Sequence, residues 1–237
     1  MPRWVAFAAL TLLVLGLLLF SARRSGRLIE ELAAESTGVS KLSLLANVAI
    51  THGLFAVVLS AGIVLAEIPP STLGVGGAAS GAKAAGLGLA VGLSIAVVNT
   101  LFGGLTEGFD ADPGGQLREL LAPESRRGWL LLLLVVLPVI AGFEELLFRG
   151  ALIGAFAAGF ELSPWLLAVG SSVAFGAGHG AQGWLGIAAT ALLGFVLAAV
   201  FVATESLLVV GLAHYVVNAV EIGLVEGLGY EPFAVER

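Results

Sequence analysis

Apolar runs close to the length of a bilayer crossing recur seven times along the chain, at about residues 4–21, 43–66, 83–104, 129–157, 164–180, 184–204 and 206–225. A helix needs roughly 20 apolar residues to cross a hydrocarbon core of about 30 Å, and inside that core the backbone must satisfy its own hydrogen bonds. The pattern therefore predicts an all-α, polytopic transmembrane bundle of about seven spans, seven or eight. Three polar loops separate the early runs: "ARRSGRLIEELAAESTGVSK", "EIPPSTLGVGGAASGAK" and "TEGFDADPGGQLRELLAPESRRG". Their Gly and Pro punctuation marks them as partly non-helical. Within the third, "GQLRELLAPES" has the composition of a short interfacial helix. The opening run resembles a secretory signal, but Trp4 to Phe20 is long for such a segment and Arg23 and Arg24 follow it as a stop-transfer flank, so it reads as the first span. No internal repeat is visible, which argues against a transporter built from inverted halves.

Composition agrees with this reading, since 58% of residues are hydrophobic and the mean hydropathy is +1.03. There is no cysteine, which removes disulfides and thiolate metal sites and leaves only His or carboxylate ligands for any metal. The net charge of -6 comes from loop acids and gives no footprint for nucleic acid. Basic residues set the orientation. Arg23, Arg24, Arg27 and Lys41 occupy the first loop, Lys83 alone the second, and Arg118, Arg126 and Arg127 the third. By the positive-inside rule the odd loops are cytoplasmic and the N-terminus is outside. Gly88 and Gly92 form a GxxxG, and glycines recur at 170, 176, 178, 180 and 194. These are read as helix-packing positions.

An ionisable group at the bilayer centre costs at least ~2.5–3.5 kcal/mol, so the few such residues within the spans mark a site. They are His52, Glu144, Glu145, Arg149, His179, His214 and Glu221, with Asn218 as a polar amide. Glu145 and Arg149 are four apart with the acid first, the favourable direction for a helical ion pair. Glu144 points about 100° away, so it must find a partner on another helix or stay protonated. Pro138, six residues earlier, removes a backbone hydrogen bond and is expected to kink the span. Phe175 and His179 share a face, as do His214 and Asn218. Depths from the cytoplasmic edge are roughly 22 Å for Glu144, about 8 Å for His179, about 18 Å for His214 and about 12 Å for Asn218. His52 has no acidic or amide companion on its own helix and is read as structural. Glu221 lies where its span ends and is read as a solvated interfacial acid.

Two chemistries suit Glu144, His179, His214 and Asn218 together. A carboxylate beside an imidazole can deprotonate water while a second imidazole and an amide stabilise an oxyanion, giving peptide hydrolysis without a covalent intermediate. Alternatively, Glu144, His179 and His214 are a His₂Glu zinc-ligand set. Outside hydrolysis, the same residues suit the proton relay of a transporter, or a non-catalytic immunity or scaffold protein.

The ordered motifs EExxxR (Glu144, Glu145, Arg149), FxxxH (Phe175, His179) and HxxxN (His214, Asn218) resemble the CPBP family of intramembrane CAAX prenyl endopeptidases and bacteriocin-processing proteins. The resemblance covers about the last half of the chain, and the first three spans carry none of these motifs. It implies a membrane protease whose active site lies in an intramembrane cavity open to the cytoplasm. In family terms Glu144 resembles the water-activating base and His179 its partner, while His214 and Asn218 resemble the oxyanion stabilisers. Glu145, Arg149 and Phe175 are then supports. The expected division is 1–125 for N-terminal spans and loops, 126–228 for the protease core, and 229–237 for a tail. No cofactor is expected, with zinc the alternative. The expected partners are the lipid bilayer and a membrane-anchored protein or peptide, of prenylated CAAX type or bacteriocin-like, in the multi-pass plasma membrane of a prokaryote.

Overall fold

A helix that meets lipid can turn its apolar side chains outward and close its backbone polar groups on themselves, and this chain uses that solution throughout. The computed structural model describes residues 1–35, 40–76, 80–106, 118, 119 and 121–230, and among these there is no strand. Seven long helices follow in order among the described residues. They are α1 (Trp4–Glu35), α2 (Lys41–Leu65), α3 (Ala82–Thr106), α4 (Arg126–Phe160), α5 (Pro164–Gly178), α6 (Gly183–Thr204) and α7 (Leu207–Gly227). All but α5 are long and apolar enough to cross a membrane, and the chain is an integral membrane protein. Polarity is inverted relative to a soluble domain. Leu13, Leu54, Leu134, Leu166 and Leu192 are exposed, while Glu144, Glu145, Arg149, Ser171, Ser172 and His214 are buried.

Two elements differ from the hydropathy pattern. The first helix does not stop near residue 21 but runs on to Glu35, because "RLIEELAAE" consists of good helix formers with no proline to end them. The fifth run is shorter than a span. With 15 residues, α5 is about 22 Å long at 1.5 Å per residue, against about 30 Å of hydrocarbon. It ends in the glycine-rich "GAGHG", where His179 leaves helical geometry (φ -104°, ψ 27°). Of the interfacial helix expected over "GQLRELLAPES", residues 115–117 and 120 lie outside the described residues, while 118, 119 and 121 are helical and Ala122 N–H donates to Arg118 O; most of the tail from 229 is also outside them.

The bundle has two chemically distinct ends. The backbone N–H of Arg3 donates to Ala66 O at 2.8 Å, which sets α1 and α2 antiparallel. At the end where α2 and α4 begin, Lys41 lies 3.6 Å from Glu124. α7 returns to that end, where Glu221, part-exposed as an interfacial acid, also pairs with Arg118 at 3.0 Å. At the opposite end the chain turns through Glu67, Glu161 and Glu205, all at positive φ.

α4 is the structural axis of the site. It runs unbroken for 35 residues, but its winding loosens twice into π-helix, at Leu132–Val136 and Leu146–Ala155. The first loosening immediately precedes Pro138, whose missing N–H and ring are incompatible with a tight preceding turn; the chain widens there in place of the break the proline threatens. In the second, the Ser171 hydroxyl of α5 donates to Phe148 O at 2.7 Å, satisfying a carbonyl of the widened stretch.

Helix approach at the site is set by glycine. A Cβ on Gly88 would lie 2.7 Å from Val209 O, and one on Gly92 2.8 Å from Ala213 O, so α3 rests directly on the α7 backbone. Gly176 and Gly194 are equally tight, whereas Gly170 and Gly180 face open space and play no packing role. Gly92→Leu is expected to destabilise the bundle by about 1–3 kcal/mol through overpacking and to shift α7 beside His214. A thermal unfolding midpoint in detergent equal to wild type would show that α3 is not seated on α7.

Candidate active site

α4 carries the two adjacent glutamates at the end of an α-helical segment, Leu137–Glu145, and Arg149 in the π segment that follows. Burial beside Phe143, Leu147 and Phe148 removes water from all three, so each must find protein partners.

Glu145 finds two. Its Oε1 accepts from Arg149 Nη1 at 2.7 Å and from His214 Nδ1 at 2.7 Å. Arg149 Nη2 donates to Gly194 O on α6 at 2.8 Å. The guanidinium carbon also lies 4.8 Å from the ring centroid of Phe175 on α5. The expected pair of Glu145 and Arg149 is therefore present, and it is the hub of a network joining α4, α5, α6 and α7. Both side chains are about 1% exposed. A charge pair at that depth is tolerated because the partners neutralise each other and both Arg149 Nη groups meet acceptors, although Glu145 Oε2 and Arg149 Nε have no hydrogen-bond partner.

Glu144 turns to the other side, as its 100° offset requires, and meets two imidazoles from other helices. His52 Nε2 on α2 lies 3.8 Å from Oε1, and His214 Nε2 on α7 lies 3.7 Å from Oε2. His179 is within electrostatic range of the same carboxylate. One acid thus meets side chains of two helices besides its own, and the structure brings Glu144 and His214 to one depth.

The histidine protons can be assigned from their partners. A backbone carbonyl can only accept, so His52 Nδ1–H donates to Val48 O at 2.9 Å and His179 Nδ1–H to Phe175 O at 2.8 Å. Glu145 Oε1 accepts from Arg149 Nη1, so it accepts from His214 as well and His214 Nδ1–H is the donor there. Each neutral ring therefore presents a bare Nε2, and for His52 and His214 that atom faces Glu144.

Phe175 is the wall between these groups. Its ring centroid lies 4.8 Å from that of His179 and 5.9 Å from that of His214, the latter edge-on. A Cβ on Gly194 would lie 2.9 Å from the Phe175 ring, so the glycine that accepts from Arg149 also makes room for this wall. His179 caps α5 rather than sitting within it, and it is half-buried. Asn218 is one turn beyond His214 on α7 and is also half-buried.

The sequence reading held His52 structural and without a companion on its own helix; the structure places Glu144 of α4 beside it. Its spacing on α2 gave no sign of a partner because the partner is on α4. The usable signal was depth: 11 residues into α2, His52 is about 16 Å from the basic end, at mid-membrane with Glu144 and His214. Gly194 was legible only as a packing position, and Phe143, whose ring meets His52 edge-on at 5.6 Å, not at all.

The donor types match a His₂Glu zinc site, and tethered Nδ1–H groups are what metal-ligating histidines have. However, among the described residues no three His or acidic side chains are gathered closely enough to hold a metal ion, so no step is routed through one here.

No curated protein and no solved structure matches the chain. Residues 126–220 match the family model described as "Type II CAAX prenyl endopeptidase Rce1-like". That stretch holds Glu144, Glu145, Arg149, Phe175, His179, His214 and Asn218. Over residues 126–220, less than half of its length, the chain is therefore similar to the type II CAAX prenyl endopeptidase Rce1-like family.

Proposed function

We propose that this protein hydrolyses a peptide bond of a membrane-anchored substrate by direct attack of water activated at Glu144, without a metal. The observation that carries the reading is the convergence at Glu144: one buried carboxylate with an imidazole nitrogen facing each of its oxygens, beside a second acid locked to an arginine. Two neighbouring glutamates in one helix are thereby given different tasks. Glu145 takes its hydrogen bonds from Arg149 and His214 through Oε1; the Oε2 atoms of both glutamates lack a protein hydrogen-bond partner, but that of Glu144 faces an imidazole nitrogen, His214 Nε2 at 3.7 Å. A carboxylate oxygen without a protein donor and beside an imidazole is what a general base needs.

In this reading Glu144, with His179, takes one proton from water as the oxygen bonds to the scissile carbonyl carbon. The carbonyl oxygen gains negative charge, which His214 and Asn218 stabilise. His214 suits that role once its bare Nε2 has taken up a solvent proton, which it keeps through the cycle, because Glu145 accepts its Nδ1–H and stabilises the imidazolium, as a carboxylate does behind a catalytic histidine. Collapse of the tetrahedral species breaks the C–N bond, and Glu144 returns the proton to the departing amine. Atoms and charge balance without a further reactant.

The substrate class follows the family: a peptide bearing a lipid near its C-terminus, with a bacteriocin-like peptide as the other class. The basic end formed by Arg23, Arg24, Lys41, Arg126 and Arg127 supports a cytoplasmic opening and an external N-terminus in a prokaryotic plasma membrane.

The test is cleavage, by purified protein in detergent, of a farnesylated CAAX-type peptide and of its unprenylated counterpart. Wild type is expected to cleave the lipidated peptide, Glu144→Gln is not, and a strong chelator is expected to leave the wild-type rate within about two-fold, since the proposed proton acceptor is a side chain. Loss of activity with chelator and its return with zinc would replace the metal-free mechanism with the zinc-dependent one.

A further inference from the structure

His52 belongs to α2, outside the stretch that matches the family model. Its Nδ1–H is tied to Val48 O, so its bare Nε2 is fixed in direction, and that direction is toward Glu144 Oε1 at 3.8 Å. Two lone-pair atoms facing each other in a buried setting repel unless a proton lies between them. The charges of the cluster require such a proton as well. Glu144 and Glu145 bring two negative charges and Arg149 one positive, so one further proton on the Glu144–histidine group makes the buried assembly neutral, the state that burial favours.

His214 is less free to supply this contact. It is already bound to Glu145, and in the proposed mechanism its Nε2 is needed by the substrate. His52 has no such second task. Phe143, packed edge-on against it at 5.6 Å, and Phe55, 5.8 Å from Phe143, hold the ring's approach to Glu144.

We propose that His52 is a positioning residue for Glu144: its Nε2, 3.8 Å from Oε1 here, closes to hydrogen-bond distance through one shared proton, which fixes the carboxylate so that Oε2 is presented to His214 and to the substrate water. The N-terminal helices then do more than anchor the chain. α2 supplies the side chain that orients the base, and the matched stretch alone is an incomplete site. This deepens the proposed function and rests on it for its kinetic test, but not for its spectroscopic one.

The spectroscopic test exploits the presence of only three histidines in the chain. In ¹⁵N-histidine-labelled protein in detergent micelles, with His52→Gln used to assign the signals, neutral His52 is expected to carry its proton on Nδ1. Glu144→Gln is expected to move the His52 Nε2 resonance. A neutral His52 protonated at Nε2, or a His52 Nε2 signal that ignores Glu144→Gln, overturns the inference whether or not any peptide is cleaved.

The kinetic test compares His52→Leu with His52→Gln on the lipidated peptide. His52→Leu is expected to lower kcat by about 10–100-fold, the scale of losing a partner that orients a reactive group, with KM changed by less than about two-fold because the substrate is not touched. His52→Gln keeps a donor for Oε1 and is expected to recover most of kcat. If His52→Leu retains full kcat while Glu144→Gln is inactive, the positioning role is wrong and the proposed base stands. If wild type cleaves neither peptide, the proposed function fails and the resonance of His52 still decides its contact with Glu144.

Discussion

Glu144→Gln is expected to lower kcat for peptide cleavage by about 10²–10⁴-fold, the range supplied by a general base, while leaving the bundle folded. The substitution is nearly isosteric, and the new amide can donate toward His52 Nε2 or His214 Nε2, both of which are bare in the neutral rings. It cannot accept and return a proton at neutral pH. Cleavage rate and thermal unfolding midpoint, measured on the same detergent preparation, separate the chemical effect from a folding defect. A variant that still cleaves at the wild-type rate would remove Glu144 from the mechanism and return the site to a proton relay or a binding function.

The largest stability effect is expected at the neighbouring pair. Arg149→Met should destabilise the protein by about 3–5 kcal/mol, because it leaves Glu145 ionised and buried without its cation. The loss should also reach the site, since Glu145 holds His214 through Nδ1. Arg149→Lys is not expected to substitute: one ammonium cannot reproduce a planar fork that gives Nη1 to Glu145 and Nη2 to Gly194 O. Glu145→Gln combined with Arg149→Met should be more stable than Arg149→Met alone. It removes the unpaired charge and keeps a carbonyl oxygen to accept from His214. If the double variant is no better than the single, the packing of Arg149 against Phe175 matters more than its charge.

The two glutamates show how far local pattern reaches. The i,i+4 spacing of Glu145 and Arg149 on one helix is a statement about a single element, and it holds even though the helix widens into π winding there. That Glu144 must look elsewhere also follows from helix geometry. Which residue it meets does not. Spacing along α2 made His52 look solitary, because an imidazole is paired across helices at equal depth and only the assembled bundle equates those depths. The same limit applies to His179. Its motif with Phe175 is visible in the sequence, but its place as the cap of a helix too short to span follows from where the glycine-rich turn packs.

The amino-acid sequence by itself determined that this is an all-helical membrane protein, which end of it is basic, and which costly polar residues its spans carry. In hydrocarbon a chain this apolar has no other way to pair its backbone, and buried charge must have a use or a partner. Tertiary structure alone decided that His52 joins Glu144, that Arg149 ties four helices together through Gly194 and Phe175, and that α5 stops short. These depend on the rotation and vertical offset of each helix against its neighbours. Close backbone contacts at Gly88, Gly92 and Gly176 set those offsets, and no property of an isolated helix encodes them.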